Sequence, residues 1–275
     1  MSGYAVKIVR MTGSENIPGV DLNTASAARV YDVMLGGKDN FAADRALAEQ
    51  LLANAPISAW VAQQNRAFLG RAVRYCAEQG VRQFLDVGSG LPTQDNVHEV
   101  AQRVDPACRV VYVDNDPVAL SHAHALLADG KGVKAIHGDL RRPAEIIGDH
   151  DVERLIDFSE PVVVLMVAIL HFIRDADDPA GIIAQFTDVM APGSHFVLSH
   201  ATHDDMPGEA SRARDIYKRA SSPLITRTRQ QISGFFAGLD LVDPGLVLTT
   251  HWRPPVPIRG ADQAGMYAGV ARKPG

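Results

Sequence analysis

The chain has little of what would settle its class at once. It has two cysteines, Cys76 and Cys108, in 275 residues. Neither a disulfide framework nor a cysteine-built zinc site can be made from them, and a reducing compartment, the cytoplasm, is the expected location. The opening residues carry no apolar core of the secretory kind, and no run reaches about 18 apolar residues, so neither a signal peptide nor a membrane partner is expected. The longest apolar run, Pro161 to Leu170, has the length of a strand. Basic residues are not in excess: 27 Lys and Arg face 32 Asp and Glu, a formal charge of -5. That balance argues against nucleic acid as the main partner. There is no internal repeat and no low-complexity tract. Apolar residues, at 46%, suffice for the core of one large domain or a domain with an appendage.

What is present begins with Phe84-Leu85-Asp86-Val87-Gly88-Ser89-Gly90-Leu91-Pro92-Thr93. A short apolar run from Gln83 to Val87 ends in an acid and then two glycines. That predicts a buried strand entering a tight turn at which a ligand can approach the backbone. Asp95 is the expected cap of a helix whose apolar face is Val97, Val100, Ala101 and Val104. The dinucleotide fingerprint is missing its third glycine, which argues against an NAD-dependent oxidoreductase. Pro92 is an unusual residue for such a turn.

Two more acids stand at the ends of the next two predicted strands. Arg109–Val113 runs into Asp114-Asn115-Asp116-Pro117, with Asp116 capping a helix that starts at Pro117 and runs to about Ala128. Asp114 lies where nucleotide-binding sheets place an acceptor for ribose hydroxyls. Val133–His137 runs into Gly138-Asp139-Leu140, where Asp139 could accept from an adenine amino group. A helical pair is expected over 143–158. Pro161–Val167 reads as a central parallel strand, followed by Ala168 and His171. Asp178 caps a helix from Pro179, and His195–His200 is a fifth strand. The alternation from 83 to 200 predicts a parallel α/β sheet with right-handed crossovers.

About sixty helical residues precede this sheet. One helix starts after Ser26, with Ala28, Tyr31, Met34 and Leu35 on one face and Gly36 as its stop. A second covers Phe41 to about Ala53. A third covers Ile57 to Gln79, with Trp60, Gln64, Phe68, Arg71 and Tyr75 along one stripe. Gly36-Gly37-Lys38 lacks the strand and the Ser/Thr ending of a phosphate loop; it reads as a helix stop or as a loop closing over a pocket. After residue 201 the rhythm breaks. A polar insertion over 202–223 is expected to be helical from Glu209 to Ala220, then come a helix at Arg227–Ala237, a strand at Leu246–Trp252 and a last strand at Met266–Arg272. The domain reading is a leader over 1–20 with a short strand at Tyr4–Val9, a helical cap over 21–80, and a core over 81–275 whose substrate-side insertion is 202–238.

The Asp-x-Gly-x-Gly turn resembles the first motif of class I S-adenosylmethionine-dependent methyltransferases. Arg29-Val30-Tyr31-Asp32, Leu35 to Arg45, Asn65-Arg66-Ala67-Phe68-Leu69 and Val111 to Pro117 are similar to signatures of a bacterial family of predicted S-adenosyl methyltransferases, long catalogued as a domain of unknown function. The resemblance implies a Rossmann-like sheet, mostly parallel, of seven strands with the last antiparallel, under an N-terminal helical lid. It implies S-adenosyl-L-methionine as methyl donor and no particular substrate; the three acids with the helical lid lead to the expectation of a small-molecule acceptor methylated on oxygen or nitrogen. The expected donor site is Asp86, Gly88, Ser89, Gly90, Asp114, Asn115, Asp139, Leu140 and Ala168, with Gly37, Lys38 and Asn40 from the lid. His171 is the candidate base, with a purely structural histidine as the alternative. Lys38 and Arg66 read either as binders of an acidic substrate or as solvated surface. His200, His203, Asp204 and Asp205 cluster in sequence, but no metal is expected. A non-catalytic donor-binding protein of the same fold and a homodimer both stay open.

Overall fold

The computed structural model describes residues 21–92, 95–127 and 132–275. The leader and its strand at Tyr4–Val9 lie outside them. Three helices come first: α1 (Ala27–Met34), α2 (Ala42–Asn54) and α3 (Ser58–Glu78). An alternating region follows: β1 (Gln83–Val87), α4 (Val97–Val104), β2 (Arg109–Asp114), α5 (Pro117–Leu127), β3 (Val133–His137), α6 (Pro143–Ile147), α7 (His150–Leu155), β4 (Val163–Val167), α8 (Pro179–Val189) and β5 (His195–Ala201). The chain closes with α9 (Pro207–Tyr217), α10 (Arg229–Gly234), two-residue strands β6 (Asp240–Leu241) and β7 (Val247–Leu248), and β8 (Met266–Arg272).

The sheet runs β3-β2-β1-β4-β5-β8-β6, with β7 also pairing β8. Strands β1 to β5 are parallel, and β8 is antiparallel to β5 over the register His195↔Arg272 to Ala201↔Met266. The order reverses between β1 and β4. Loops leaving those two strands diverge there, opening a crevice at the carboxyl ends. Each central strand is buried on both faces, as its unbroken apolar run requires. Leu85, Val111, Val164 and Phe186 meet on one face. Phe84, Val110, Leu165, Phe68 and Trp252 meet on the other. A separate cluster, including Leu51, Ala62 and Tyr217, joins the N-terminal helices to α9.

Several local expectations change. The sheet has eight strands, not seven, because Asp240–Leu241 adds a short strand beside β8; the expected strand Leu246–Trp252 shrinks to Val247–Leu248. Arg71 takes the carbonyls of Thr249 and Trp252 at 2.6 and 2.8 Å, which turns this backbone away from the sheet. The cap of α4 is Asn96, in a reciprocal box with Glu99, and not Asp95. Asp95 stands outside the helix at φ +56° and pairs with Arg103. Helix α10 starts at Arg229 behind a Thr228–Gln231 box, since Arg227 is drawn inward to the carbonyls of Leu170 and Ile173. The buried face of α3 is Ala62, Asn65, Phe68, Leu69, Ala72, Val73 and Cys76. Only Phe68 belongs to the expected stripe. Small residues let the helix approach closely, while Trp60 and Tyr75 flank the contact and are half-buried.

Candidate active site

A cavity of about 810 Å³ lies across the carboxyl ends of β1 to β4, under α1, α3 and α9. It is of the size usual for ligand pockets, roughly 300–1,000 Å³. Asp86, Asp114 and Asp139 all line it, as do Gly88, Ser89, Gly90, Asn115, Leu140, Ala168 and His171. The three strand-end acids therefore meet in one crevice.

Their environments differ. Asp86 is 5% exposed, and its carboxylate makes no hydrogen bond among the described residues. Burial pushes its pKa up to about 7; the Arg66 guanidinium opposes this and Asp114 adds to it. Asp114 is also pushed up by burial, but it accepts from the Gly90 amide at 2.7 Å and the Asp116 amide at 2.8 Å. Asp139 is held below the usual carboxylate range by its hydrogen bonds with Arg141, which grips both oxygens. Asn115 is exposed at the cavity edge.

The glycine turn keeps its amides for the sheet. The Gly88 and Ser89 amides donate to the Val113 carbonyl at 2.8 and 3.1 Å, and the Gly90 amide to Asp114. All three are spent on fastening the turn to β2. Gly88 has φ +78° and the place of its Cβ is taken by Ile169, while a Cβ at Gly90, φ +67°, would meet nothing, so the turn is open there. Across the crevice Ala168 has φ +57°, a strained setting for a residue with a Cβ. A buried relay holds it. The Ala168 amide donates to Ser199 Oγ at 3.0 Å, Ser199 Oγ donates to Asn65 Oδ1 at 2.6 Å, and Asn65 Nδ2 donates to Tyr31 Oη at 2.9 Å.

The lid residues Gly37, Lys38 and Asn40 are not brought to the cavity. Their loop holds Asp32, which does line it: the Asp39 amide and Asn40 Nδ2 donate to Asp32 Oδ2 at 3.0 and 2.8 Å. Gly37 is needed because a Cβ there would overlap the Asp32 carboxylate. Lys38 is exposed. Helix α1 reaches the crevice instead. Arg29 bridges Asp44 and Asp116, each at 2.9 Å, and Ser26 Oγ donates to Asp116 at 2.6 Å. Asp116 also caps α5 through the Val118 amide, as expected. The sequence placed Arg29 and Asp32 off the buried face of α1, yet both are buried. Their clue was a charged residue beside each apolar one, which periodicity alone discards.

His171 does not have the geometry of a base. Its Nδ1 accepts the Ala201 amide at 3.3 Å, so the neutral ring carries its proton on Nε2 and can only donate there. Burial, with His200 and Arg227 nearby, pushes its pKa well down. The downstream cluster is dispersed into structural work. His200 Nε2 meets Arg227 at 2.7 Å, His203 meets Thr226, Asp204 accepts from the Arg229 amide and Asp205 from the Gly265 amide. Among the described residues no three metal-ligating side chains are grouped to hold an ion. No helix of the described residues is long and apolar enough to cross a membrane.

The family model for S-adenosyl methyltransferases matches residues 14–274. Among curated proteins none matches in sequence. A crystal structure of a protein from Thermobifida fusca YX, provisionally named a methyltransferase, is 40% identical, with 94% of this chain and 98% of that one covered at a TM-score of 0.89. A domain-of-unknown-function protein from Streptomyces avermitilis MA-4680 is 37% identical over 92% and 99%, also at 0.89. Human N-acetylserotonin methyltransferase, solved with S-adenosylmethionine, is 14% identical over 89% and 62% at 0.50, a likeness of fold alone. With its sheet order, its crevice and a match over nearly its whole length, the chain belongs to the S-adenosyl methyltransferase family and is an S-adenosylmethionine-dependent methyltransferase.

Proposed function

We propose that the crevice is the donor site and that the enzyme methylates oxygen or nitrogen of a small molecule held under the N-terminal helices. The observation that carries this is the meeting of Asp86, Asp114 and Asp139 on one cavity wall. The residues fit the donor's chemistry. Asp86 is a buried carboxylate with no hydrogen-bond partner among the described residues, suited to the amino group of the methionine moiety. Gly90, where a Cβ would meet no atom, leaves the turn open to a ligand. Asp114 would receive ribose hydroxyls, and Asp139 with Leu140 would face the adenine. When bound, the donor supplies an activated methyl on a sulfonium.

The chain's own part is alignment and exclusion of water. The Asn65–Ser199 relay fixes the Ala168 turn, which stands next to the crevice, and α1 closes over it through Arg29 and Asp116. His171 Nε2–H orients the acceptor as a hydrogen-bond donor and is not a base in this reading. Isothermal calorimetry with S-adenosylhomocysteine tests the assignment. Asp114→Ala should weaken binding at least ~10-fold, the worth of one charge-assisted hydrogen bond. Unchanged affinity would remove Asp114 from the site.

A further inference from the structure

The far half of the cavity, away from the strand-end acids, is built from the cluster that joins the N-terminal helices to α9. Leu51, Ala62, Ala213 and Leu224 belong to that cluster and line the cavity; Val61 and Met206 line it beside them. Among the described residues the charged groups on this half are held by protein partners, except that Glu209 keeps one buried oxygen, Oε2, without a hydrogen-bond partner. Arg29 is spent on Asp44 and Asp116, Asp32 on its own loop, and Glu209 on Arg212 at 2.7 Å. Arg66 is turned toward Asp95 and Asn96. Among the described residues no cation on this half is set to neutralise a carboxylate or a phosphate.

Polar capacity is concentrated in one patch. The rings of His171, Phe172 and Tyr217 follow one another, with centroids 4.5 and 5.6 Å apart. Tyr217 is 5% exposed and lines the cavity, yet no hydrogen bond among the described residues reaches its hydroxyl. A buried tyrosine hydroxyl ordinarily finds a partner. His171 offers a second donor, Nε2–H, because Nδ1 is occupied by the Ala201 amide. Two uncommitted donors in a largely apolar slot select a guest that brings an accepting oxygen and no acid.

We infer that the methyl acceptor is a largely apolar small molecule without an acidic group, bearing a hydrogen-bond-accepting oxygen, which Tyr217 and His171 hold. This rests on the donor-site reading given above. An acidic metabolite or a nucleotide would have to bury its negative charge against apolar groups and cations that the protein already holds, at a cost.

Calorimetry on the full chain, first saturated with S-adenosylhomocysteine, tests it with two probes of one shape: 1-naphthol, and 1-naphthoate as the charged counterpart. The expected result is at least ~10-fold tighter binding of 1-naphthol than of 1-naphthoate. Tyr217→Phe should weaken 1-naphthol about 3- to 10-fold, the worth of one neutral hydrogen bond, with S-adenosylhomocysteine affinity unchanged. Ala213→Phe, which fills the slot from α9, should abolish 1-naphthol binding and also spare S-adenosylhomocysteine. Equal or tighter binding of 1-naphthoate overturns the inference. So does a 1-naphthol affinity indifferent to both substitutions, or no 1-naphthol heat on the S-adenosylhomocysteine complex. Failure of S-adenosylhomocysteine itself to bind would instead sink the donor-site reading, and the two outcomes are read in separate titrations.

Discussion

Asp86 carries the sharpest consequence at the scale of single residues. Its folded pKa of about 7 lies above its ordinary 3.8, mainly through burial. Below about pH 4 the group is protonated whether the chain is folded or not and costs nothing. Between there and pH 7 the native state keeps a proton that the unfolded chain has lost, so stability falls as pH rises. At about 1.4 kcal/mol per pKa unit, the loss approaches ~4 kcal/mol as an upper bound. Asp86→Asn should therefore match the wild type in urea denaturation at pH 4, exceed it by a few kcal/mol at pH 8, and bind the donor poorly. A variant less stable than wild type at pH 8 would contradict this. Asn65 makes the opposite bargain. Asn65→Leu strips partners from Ser199 and Tyr31 and should cost about 1–3 kcal/mol. Turnover should fall while donor affinity holds, because the Ala168 turn loosens and the strand-end acids do not. Equal losses in both would make Asn65 a purely structural residue.

Among the elements, the helical lid depends on one buried ion cluster. Arg29 joins Asp44, which is fully buried, to Asp116 at the start of α5. Breaking a buried pair by removing one partner costs about 3–5 kcal/mol, since the other charge stays buried and unpaired. Arg29→Met should thus raise amide exchange across α1 and α2 while β1, β2 and β4 stay protected; uniform loss of protection would mean that lid and sheet unfold together. The sheet was legible in the sequence because its strands are continuous apolar runs ending in an acid or a glycine, and β1, β3 and β8 fall at their expected bounds. The lid was less legible. Periodicity finds apolar faces, whereas α1 buries Arg29 and Asp32 and α3 buries Asn65. Those positions are satisfied by partners up to 134 residues away, as in the Asn65–Ser199 bond, and no local window contains them. Strand β7 ended early for the same kind of reason, a distant Arg71 taking its carbonyls.

Across the whole molecule the design is a two-part chamber. Strand-end carboxylates form one half, and an apolar slot between the N-terminal helices and α9 forms the other. The first half was readable because acids at successive strand ends keep their meaning wherever the strands go. The second was not, since Leu51, Ala213 and Tyr217 meet only after the chain has crossed the sheet and returned. The central claim is that the three carboxylates at 86, 114 and 139 share one adenosyl ligand. A crystal structure of the protein soaked with S-adenosylhomocysteine tests it most directly. The account predicts the ribose hydroxyls within hydrogen-bonding distance of Asp114, the amino group at Asp86 and the adenine beside Asp139. Density for the nucleoside anywhere else, or a ligand touching none of these acids, would contradict it.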